Sequence, residues 1–498
     1  MSTPNTVKFA RLPSQGVVNG IDGPGFTAIS IAVGVGAIAV MGEGFIGLFS
    51  TLPFTAPLAA LGTIRRHGQS LITHLLRELG GLMRQATGAT KYRARPDKKK
   101  ITPASQLDLP GREGRIHLYD TDSGPVVIWD ARAATATVCC VVATNGLGMP
   151  QADSPSTLDE SDREGLIWEW SKVLGSFTQK EHVARVTVLE QARPGTVESE
   201  RSYFQERSKN LDGGISSSYE ETLARAEEAV TRHTSVLAIT FKLTGEARAL
   251  VKGAGSEKAG MLQLAELEMA TTEEALYNAG FTRMVWMNAR EWGAWGRSLI
   301  DPMSQQGVDT RTGTKWEGVD PQSAAPMLID EKRTVVETDS AWHRTYWIQE
   351  WPRYETFPGF MSRLVFAKQQ SGRPVRQTFM LVGTPVQIGD AMKKIEEQKR
   401  TWITNSQIRA KSGKPTTAAD DADWRALEQQ EADLVAGQGE LRFSAYLTVT
   451  STSMEVLEQE AASIRNACSA TGLEPRSMPW QQAEALMNVA YPCGLGMK

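Results

Sequence analysis

The chain has 498 residues, 54 Lys and Arg against 57 Asp and Glu, a formal net charge of −3 and 41% hydrophobic residues, values near globular averages. Its four cysteines, Cys139, Cys140, Cys468 and Cys493, lack CxxC spacing, which argues against a disulfide or zinc framework. Six singly scattered histidines argue against a metal cluster held within one helix.

Residues 1–23 read as a cytoplasmic tail carrying Lys8 and Arg11. The 41 residues from Pro24 to Ile64 hold one charge, Glu43. It divides them into apolar stretches, 24–41 and 45–64, each long enough at ~1.5 Å per residue to reach across a hydrocarbon core of ~30 Å. The link Gly42-Glu43-Gly44 suits a tight turn, and its acid belongs in water, since Glu43 at a bilayer centre would cost ~2.5–3.5 kcal/mol. The expectation for 24–64 is a transmembrane helical hairpin with Glu43 at its far end and Pro53 and Pro57 kinking the second leg. A buried hairpin in a soluble core is the competing reading. A signal peptide fits less well, because the run is long, starts far from Met1 and lacks a clear small-residue cleavage site. Lys8 and Arg11 before the first leg, with Arg65, Arg66 and His67 after the second, predict a two-pass protein of the cell membrane with both termini cytoplasmic.

Residues 65–110 read as a basic juxtamembrane helix and linker. Between Arg65 and Arg115 there are twelve Lys or Arg and four acids. Arg65, Arg66, Lys91, Arg93, Arg95, Lys98, Lys99 and Lys100 are the expected headgroup and topology residues, each worth about 1 kcal/mol against an anionic leaflet. A solvated linker that only enforces topology fits as well, and nucleic-acid contact fits less well, because aromatic interleaving is limited to Tyr92. Leu71, Leu75, Leu79 and Leu82 recur at helical spacing, and 88–110 reads as irregular.

A first α+β unit is expected over 111–302. It has strands at 115–119 and within 125–144, a helix at 164–177 and a strand at 182–191. A helical stretch over 199–234, interrupted at Asp212-Gly213-Gly214, leads to a strand at 235–243. A helix at 255–279, a strand at 281–286 and a helix at 289–299 close the unit. Residues 303–330, rich in Gly, Pro, Ser and Thr, read as a linker or a substrate-binding loop. The second unit, 331–498, repeats the order: strands at 334–339 and 343–351, a helix at 359–367 and a strand at 375–382. A helical stretch at 386–437, broken near Gly413 and Pro415, precedes a strand at 440–450, a helix at 455–471, a strand at 474–478 and a helix at 481–488. HVARVTVLEQARP aligns with PVRQTFMLVGTP, TSVLAITFKLTG with LRFSAYLTVTST, and GFTRMVWMNAREWGAWGRSLIDP with GLEPRSMPWQQAEALMNVAYP, each pair roughly 190 residues apart. The expected class is α+β: a transmembrane hairpin, then two tandem units of duplicated order with mainly antiparallel sheets and helices on one face.

No GxxxxGK[ST], GxSxG, HExxH or Rossmann glycine pattern occurs. The nearest glycine-rich stretch, 253–260, puts an acid before Lys258 and no hydroxyl after it, so it reads as a helix-entry loop. Glu160 with Asp162, and Asp420, Asp421 and Asp423, lie in helix-entry contexts that suit capping. Trp286, Trp292, Trp295, Trp342, Trp347 and Trp351 suit core or subunit packing. No catalytic, cofactor-binding or metal-ligating residue is assigned, and the chain is read as a non-enzyme.

Several segments together carry a resemblance: the two-helix anchor, TGATKYRARP, HRTYWIQEWPR, EQQEADLVA before GQGELRFSAYLTVT, and the terminal PWQQAEALMNVAYPCGLG. The chain resembles a family of conjugation-associated membrane proteins from mobile elements of high-GC Gram-positive bacteria. Its body is similar to the non-motor N-terminal half of the large type IV secretion ATPase, whose domain ends in a Leu-Pro-Leu-Gly-like stretch before the motor. Here that stretch appears as 490–496, and the resemblance implies a protein without the motor half. The resemblance implies a scaffold that works with a separate secretion ATPase, membrane lipids and other channel subunits, as an oligomer within a complex. It leaves direct DNA contact open. A membrane component of a type VII secretion core and a membrane-tethered enzyme are the alternatives.

Overall fold

A computed structural model describes residues 21–66, 69–94, 106–107, 109–110, 115–143, 160–195, 197–207, 213–229, 231–281, 283–311, 314–352, 354, 356, 359–365, 375–411, 418–435 and 439–493. Helices α1 (Gly23–Glu43) and α2 (Phe45–Thr63) come first, joined at Gly44. Its φ of +65° is a conformation that glycine adopts without a Cβ penalty. Asp22 caps α1 by accepting the Gly25 N–H at 3.2 Å. The helices run antiparallel along a seam of small residues, with Gly25, Ala28, Ala32 and Gly36 buried on α1 and Gly47 and Gly62 on α2. A Cβ on Gly62 would stand 2.7 Å from the Gly25 carbonyl oxygen, and one on Gly47 would stand 2.3 Å from that of Ala39. Gly62→Leu is therefore expected to wedge the legs apart at a cost of about 1–3 kcal/mol, read as a lower unfolding midpoint in detergent.

The chain turns through β1 (Arg65–Arg66) and β2 (Gln69–Ser70) into α3 (Leu71–Ala86), then β3 (Lys91–Arg93). The first half follows: β4 (Gln106–Leu107), β5 (Ile116–Asp120), β6 (Val126–Asp130), β7 (Thr135–Ala143), α4 (Glu160–Thr178), β8 (Val183–Pro194), α5 (Glu198–Arg207), α6 (Gly213–Ala229), β9 (Thr231–Lys242), α7 (Gly245–Gly253), α8 (Glu257–Asn278), β10 (Arg283–Trp286) and α9 (Ala289–Ile300). The segment expected as a linker carries a 3-10 turn (Pro302–Ser304), α10 (Gln305–Asp309) and α11 (Pro321–Ala324), and enters β11 (Leu328–Glu331). The second half adds β12 (Val336–Glu337), β13 (Trp342–Glu350), α12 (Ser362–Val365), β14 (Gln377–Val386), α13 (Ile388–Lys411), α14 (Ala418–Val435), β15 (Glu440–Ser451), α15 (Met454–Ala470), β16 (Glu474–Ser477) and α16 (Gln482–Ala490). The protein is thus mixed helix and antiparallel sheet, of the expected class.

Both halves contribute to one 14-stranded sheet, ordered β3-β11-β12-β13-β15-β14-β8-β9-β7-β6-β5-β4, with β10 beside β7 and β16 beside β13. The seam is β8 against β14, antiparallel, with Ala192 opposite Gln377 and Val186 opposite Gly383. Outward from it the halves match strand for strand. Their details match as well. Ser256 and Ser453 cap α8 and α15, and both helices end at a left-handed glycine, Gly280 and Gly472. Helices α9 and α16 stop at Asp301 and Tyr491, both with φ of −127°, each followed by proline. A Thr137–Thr240 hydroxyl pair at 3.0 Å in the first half has its counterpart in Thr345–Thr448 at 2.9 Å.

Helices cover both faces of the sheet, where the sequence pattern predicted one. The reason lies in the strands: on β7, Val138, Cys140 and Val142 point to one core while Cys139 and Val141 point to another, so neither face is left polar. On the outer side, α4, α7 and α8 cover the first half, and α12 and α15 cover the second. On the inner side the sheet curls around α9 and α16 to form one core common to both halves. Leu107 from β4, Leu189 from β8, Met380 from β14 and Ile329 from β11 all reach it. Helix α11 contacts β4 and, a few residues later, leads into β11, so the sheet's two ends approach each other.

Candidate functional site at the base of the apolar hairpin

Helices α1 and α2 are long and apolar enough to cross a membrane, and only 22% and 11% of their apolar windows are buried. A core helix of a soluble protein would be mostly buried; these face outward, which is compatible with a membrane anchor. Glu43 closes α1 beside Gly42 and Gly44, and all three are exposed at the tip.

At the opposite end, Asp22 fastens the hairpin to α3. Its second oxygen accepts the Ser70 N–H at 3.2 Å and the Thr73 hydroxyl. Burial opposes the charge, but these bonds outweigh it and hold the carboxyl below its usual range.

The far end of α3 is fastened to the second half. Glu78 takes Arg333 in a two-pronged ion pair, with contacts of 2.6 to 3.0 Å, and accepts the Trp480 indole N–H at 2.9 Å. The Arg333 guanidinium, above all, holds the Glu78 carboxyl low. Arg84 donates to the Trp480 carbonyl at 2.6 Å and lies 3.3 Å from Glu331, whose other oxygen accepts the Ala483 N–H at the start of α16. Trp480 has a φ of +61°, a left-handed conformation costly for a bulky residue. Its N–H, carbonyl, indole N–H and ring face are all engaged, by Arg333, Arg84, Glu78 and Gly81. Those four contacts offset the strain. A Cβ on Gly81 would sit 2.1 Å from the indole, so Gly81→Leu is expected to unseat α3 and speed amide hydrogen exchange across residues 71–86. Unchanged exchange there would show that the contact does not hold the helix.

Beyond α3, β3 pairs with β11, Tyr92 opposite Ile329, so the stretch read as irregular supplies an edge strand of the sheet. Lys91 lies 3.6 Å from Asp330; Arg65 and Arg66, before α3, and Lys91 and Arg93, after it, are exposed. Arg95, Lys98, Lys99 and Lys100, with most of the N-terminal tail, lie outside the described residues. Glu78, Gly81, Glu331, Arg333 and Trp480, which build the junction, were not singled out from sequence as site residues. Periodicity gave no signal for them: Glu78, three residues after Leu75 and four before Leu82, borders the leucine stripe in sequence.

No family model and no curated protein matches the chain.

Elsewhere the titratable clusters are built into packing. Glu268 on α8 binds Lys180 at 2.6 Å and His182 at 2.7 Å; burial pushes its carboxyl up, but these partners bring it below the usual value. Among the described residues no three His, Cys, Asp or Glu side chains form a metal-binding group. A crevice lined by Glu190, Ala192, Leu364, Val365, Gln377 and Phe379 has about 10 Å³ of free space, room for roughly one water molecule and far below the roughly 300 Å³ at which small-molecule pockets begin.

His343 is fully buried between the hydroxyls of Thr338 at 2.7 Å and Thr450 at 2.9 Å. Burial, with Arg376 nearby, pushes its pKa down to about 3. Its unfolded value is about 6.5, so the unfolded chain binds the extra proton. The stabilisation is complete above about pH 6.5 and is lost as pH falls toward 3, by up to ~1.4 kcal/mol per pH unit. Denaturant titrations between these pH values should show a shallower acid limb in His343→Gln than in the parent.

Proposed function

We propose that this chain is a membrane-anchored scaffold of a conjugative, type IV secretion-like DNA-transfer apparatus, on which a separate ATPase docks at the cytoplasmic face. The observation that carries the reading is the continuous mechanical path from the outward-facing apolar hairpin, through Asp22 and α3, to Glu78, Arg333 and Trp480 of the body. In this reading α1 and α2 cross the membrane twice, with Glu43 at the far side and both termini in the cytoplasm. Arg65, Arg66, Lys91, Arg93, Arg95, Lys98, Lys99 and Lys100 set that topology and meet lipid headgroups. The resemblance in the terminal segment and in the 343–353 hairpin strand supports the secretion context.

The body holds two helical arms at equivalent positions, α5 with α6 between β8 and β9, and α13 with α14 between β14 and β15. Because β8 and β14 are antiparallel, the arms leave opposite ends of the strand ladder. They are the surfaces assigned to the ATPase and to other channel subunits in an oligomeric complex. The matched topology and caps of the halves support descent by duplication of one α+β unit.

The test is affinity purification of the full chain from detergent-solubilised membranes of its own host. A conjugation-type ATPase should co-purify and be lost when an arm is removed. Recovery of a type VII secretion ATPase instead would replace the reading. ATP hydrolysis at motor-like rates by the purified chain alone would sink the division of labour.

A further inference from the structure

Helix α3 has two unlike faces. Ser70, Thr73, Glu78, Gly81 and Arg84 make the contacts to the hairpin base and to the body. The other face carries Leu75, Leu76, Leu79, Leu82 and Met83, exposed by 45, 53, 49, 53 and 70%. At 100° per residue these five fall within one stripe, so the exposure is a contiguous apolar surface rather than scattered side chains. A soluble protein leaves such a stripe open only for a partner.

We infer that α3 lies in the plane of the membrane surface, its leucine face seated at the boundary between headgroups and acyl chains. This rests on the anchor reading of α1 and α2. Three observations favour lipid over another occupant. The first turn of α3 is tied by Asp22 to the point where the hairpin ends, which places the helix at that boundary. Its opposite face is occupied by Trp480 over Gly81 and by Glu331 of β11 at Arg84, so the leucines point away from the water-soluble body. Arg65, Arg66, Lys91 and Arg93 flank it, exposed, in a region with an excess of positive charge that complements anionic headgroups. The inference gives α3 a role beyond linkage: with one face in lipid and the other bolted to the second half, it fixes which side of the body faces the bilayer.

The test uses the full chain in nanodiscs of phosphatidylcholine with phosphatidylglycerol. The native cysteines are all buried and free, and burial raises the thiol pKa of Cys139, Cys140 and Cys468, so a nitroxide placed at a new surface cysteine reports that position. Separate Leu79→Cys and Leu82→Cys labels should be relaxed preferentially by oxygen, at a depth of about 5–10 Å below the headgroups. A label at Gln85→Cys should be relaxed by a water-soluble nickel chelate, and one at Leu52→Cys in α2 should read as deep. Labels at 79 and 82 as accessible to the chelate as that at 85, with 52 still deep, would overturn the in-plane helix while leaving the anchor intact. Spin–spin broadening at 79 and 82 that grows with protein-to-lipid ratio, without oxygen preference, would overturn it in favour of a second copy. A chelate-accessible label at 52 would overturn the anchor itself, and the inference with it.

Discussion

Trp292→Ala is expected to destabilise the body by about 3–5 kcal/mol and to shift one unfolding transition rather than one of two. Trp292 is completely buried on α9, with the Tyr491 ring 5.5 Å away at the end of α16. Tyr491 fills the notch over Gly296 and donates its hydroxyl to the Ala324 carbonyl, and Trp295 donates to the Val489 carbonyl at 3.3 Å. The cavity therefore opens where the closing helices of the two halves meet. Its lining comes from both, and the loss of packing is felt on both sides. The Trp292 indole nitrogen has no hydrogen-bond partner among the described residues, so truncation strands no acceptor and the cost is one of packing. Calorimetry decides the matter. Two separable transitions, only one of them shifted, would mean that the halves fold as independent bodies in spite of the common core.

Asp309→Ala should be comparably severe. Asp309, on the short α10, accepts both prongs of Arg193 at 3.1 and 3.2 Å, with Arg232 at 3.8 Å and the Gln305 amide at 2.9 Å. Arg193 sits near the end of β8, 7% exposed, beside Arg376 at the start of β14, so cations from the two halves face each other across the seam. Burial, then Arg193, pulls the Arg376 pKa down to about 10. Removing the carboxylate leaves a buried guanidinium among like charges, at a cost of about 3–5 kcal/mol. Asp309→Ala combined with Arg193→Met should recover most of that loss, because replacing a buried pair by apolar groups of similar volume is nearly neutral. A double variant no more stable than Asp309→Ala would show that the charge was not the cause. Chemical denaturation of the three proteins provides the comparison.

Most elements of the body were legible because their signals are local. Alternation in 182–191 and 440–450 gave β8 and β15, although β8 continues to Pro194. Apolar periodicity gave α8 and α15, whose ends carry Ser256, Ser453, Gly280 and Gly472. Helix 199–234 ran too far, because Thr231 to Thr234 belong to β9, where Arg232 and His233 look solvated in sequence yet pair with Arg193 and Ala192. Helices α7, α10 and α11 were missed; the latter two are short, and their stability comes from α9 rather than from their own sequence. The junction at Trp480 could not be read, since it joins residues about 400 positions apart and depends on a backbone angle that no composition signals. The seam of β8 with β14 was hidden for a similar reason: strand pairing between halves leaves no periodicity of its own.

The placement of α16 in the interior has a consequence for biosynthesis. The inner core closes around α9 and α16, so residues 482–491 complete it. The apolar hairpin leaves the ribosome some 430 residues before α16, a lag of about 20 to 90 s at ordinary elongation rates. Leu189, made well before Met380 and Tyr446, waits longest for the final helix that shields all three, and the ribosome must deliver that helix before those strands can wrap it.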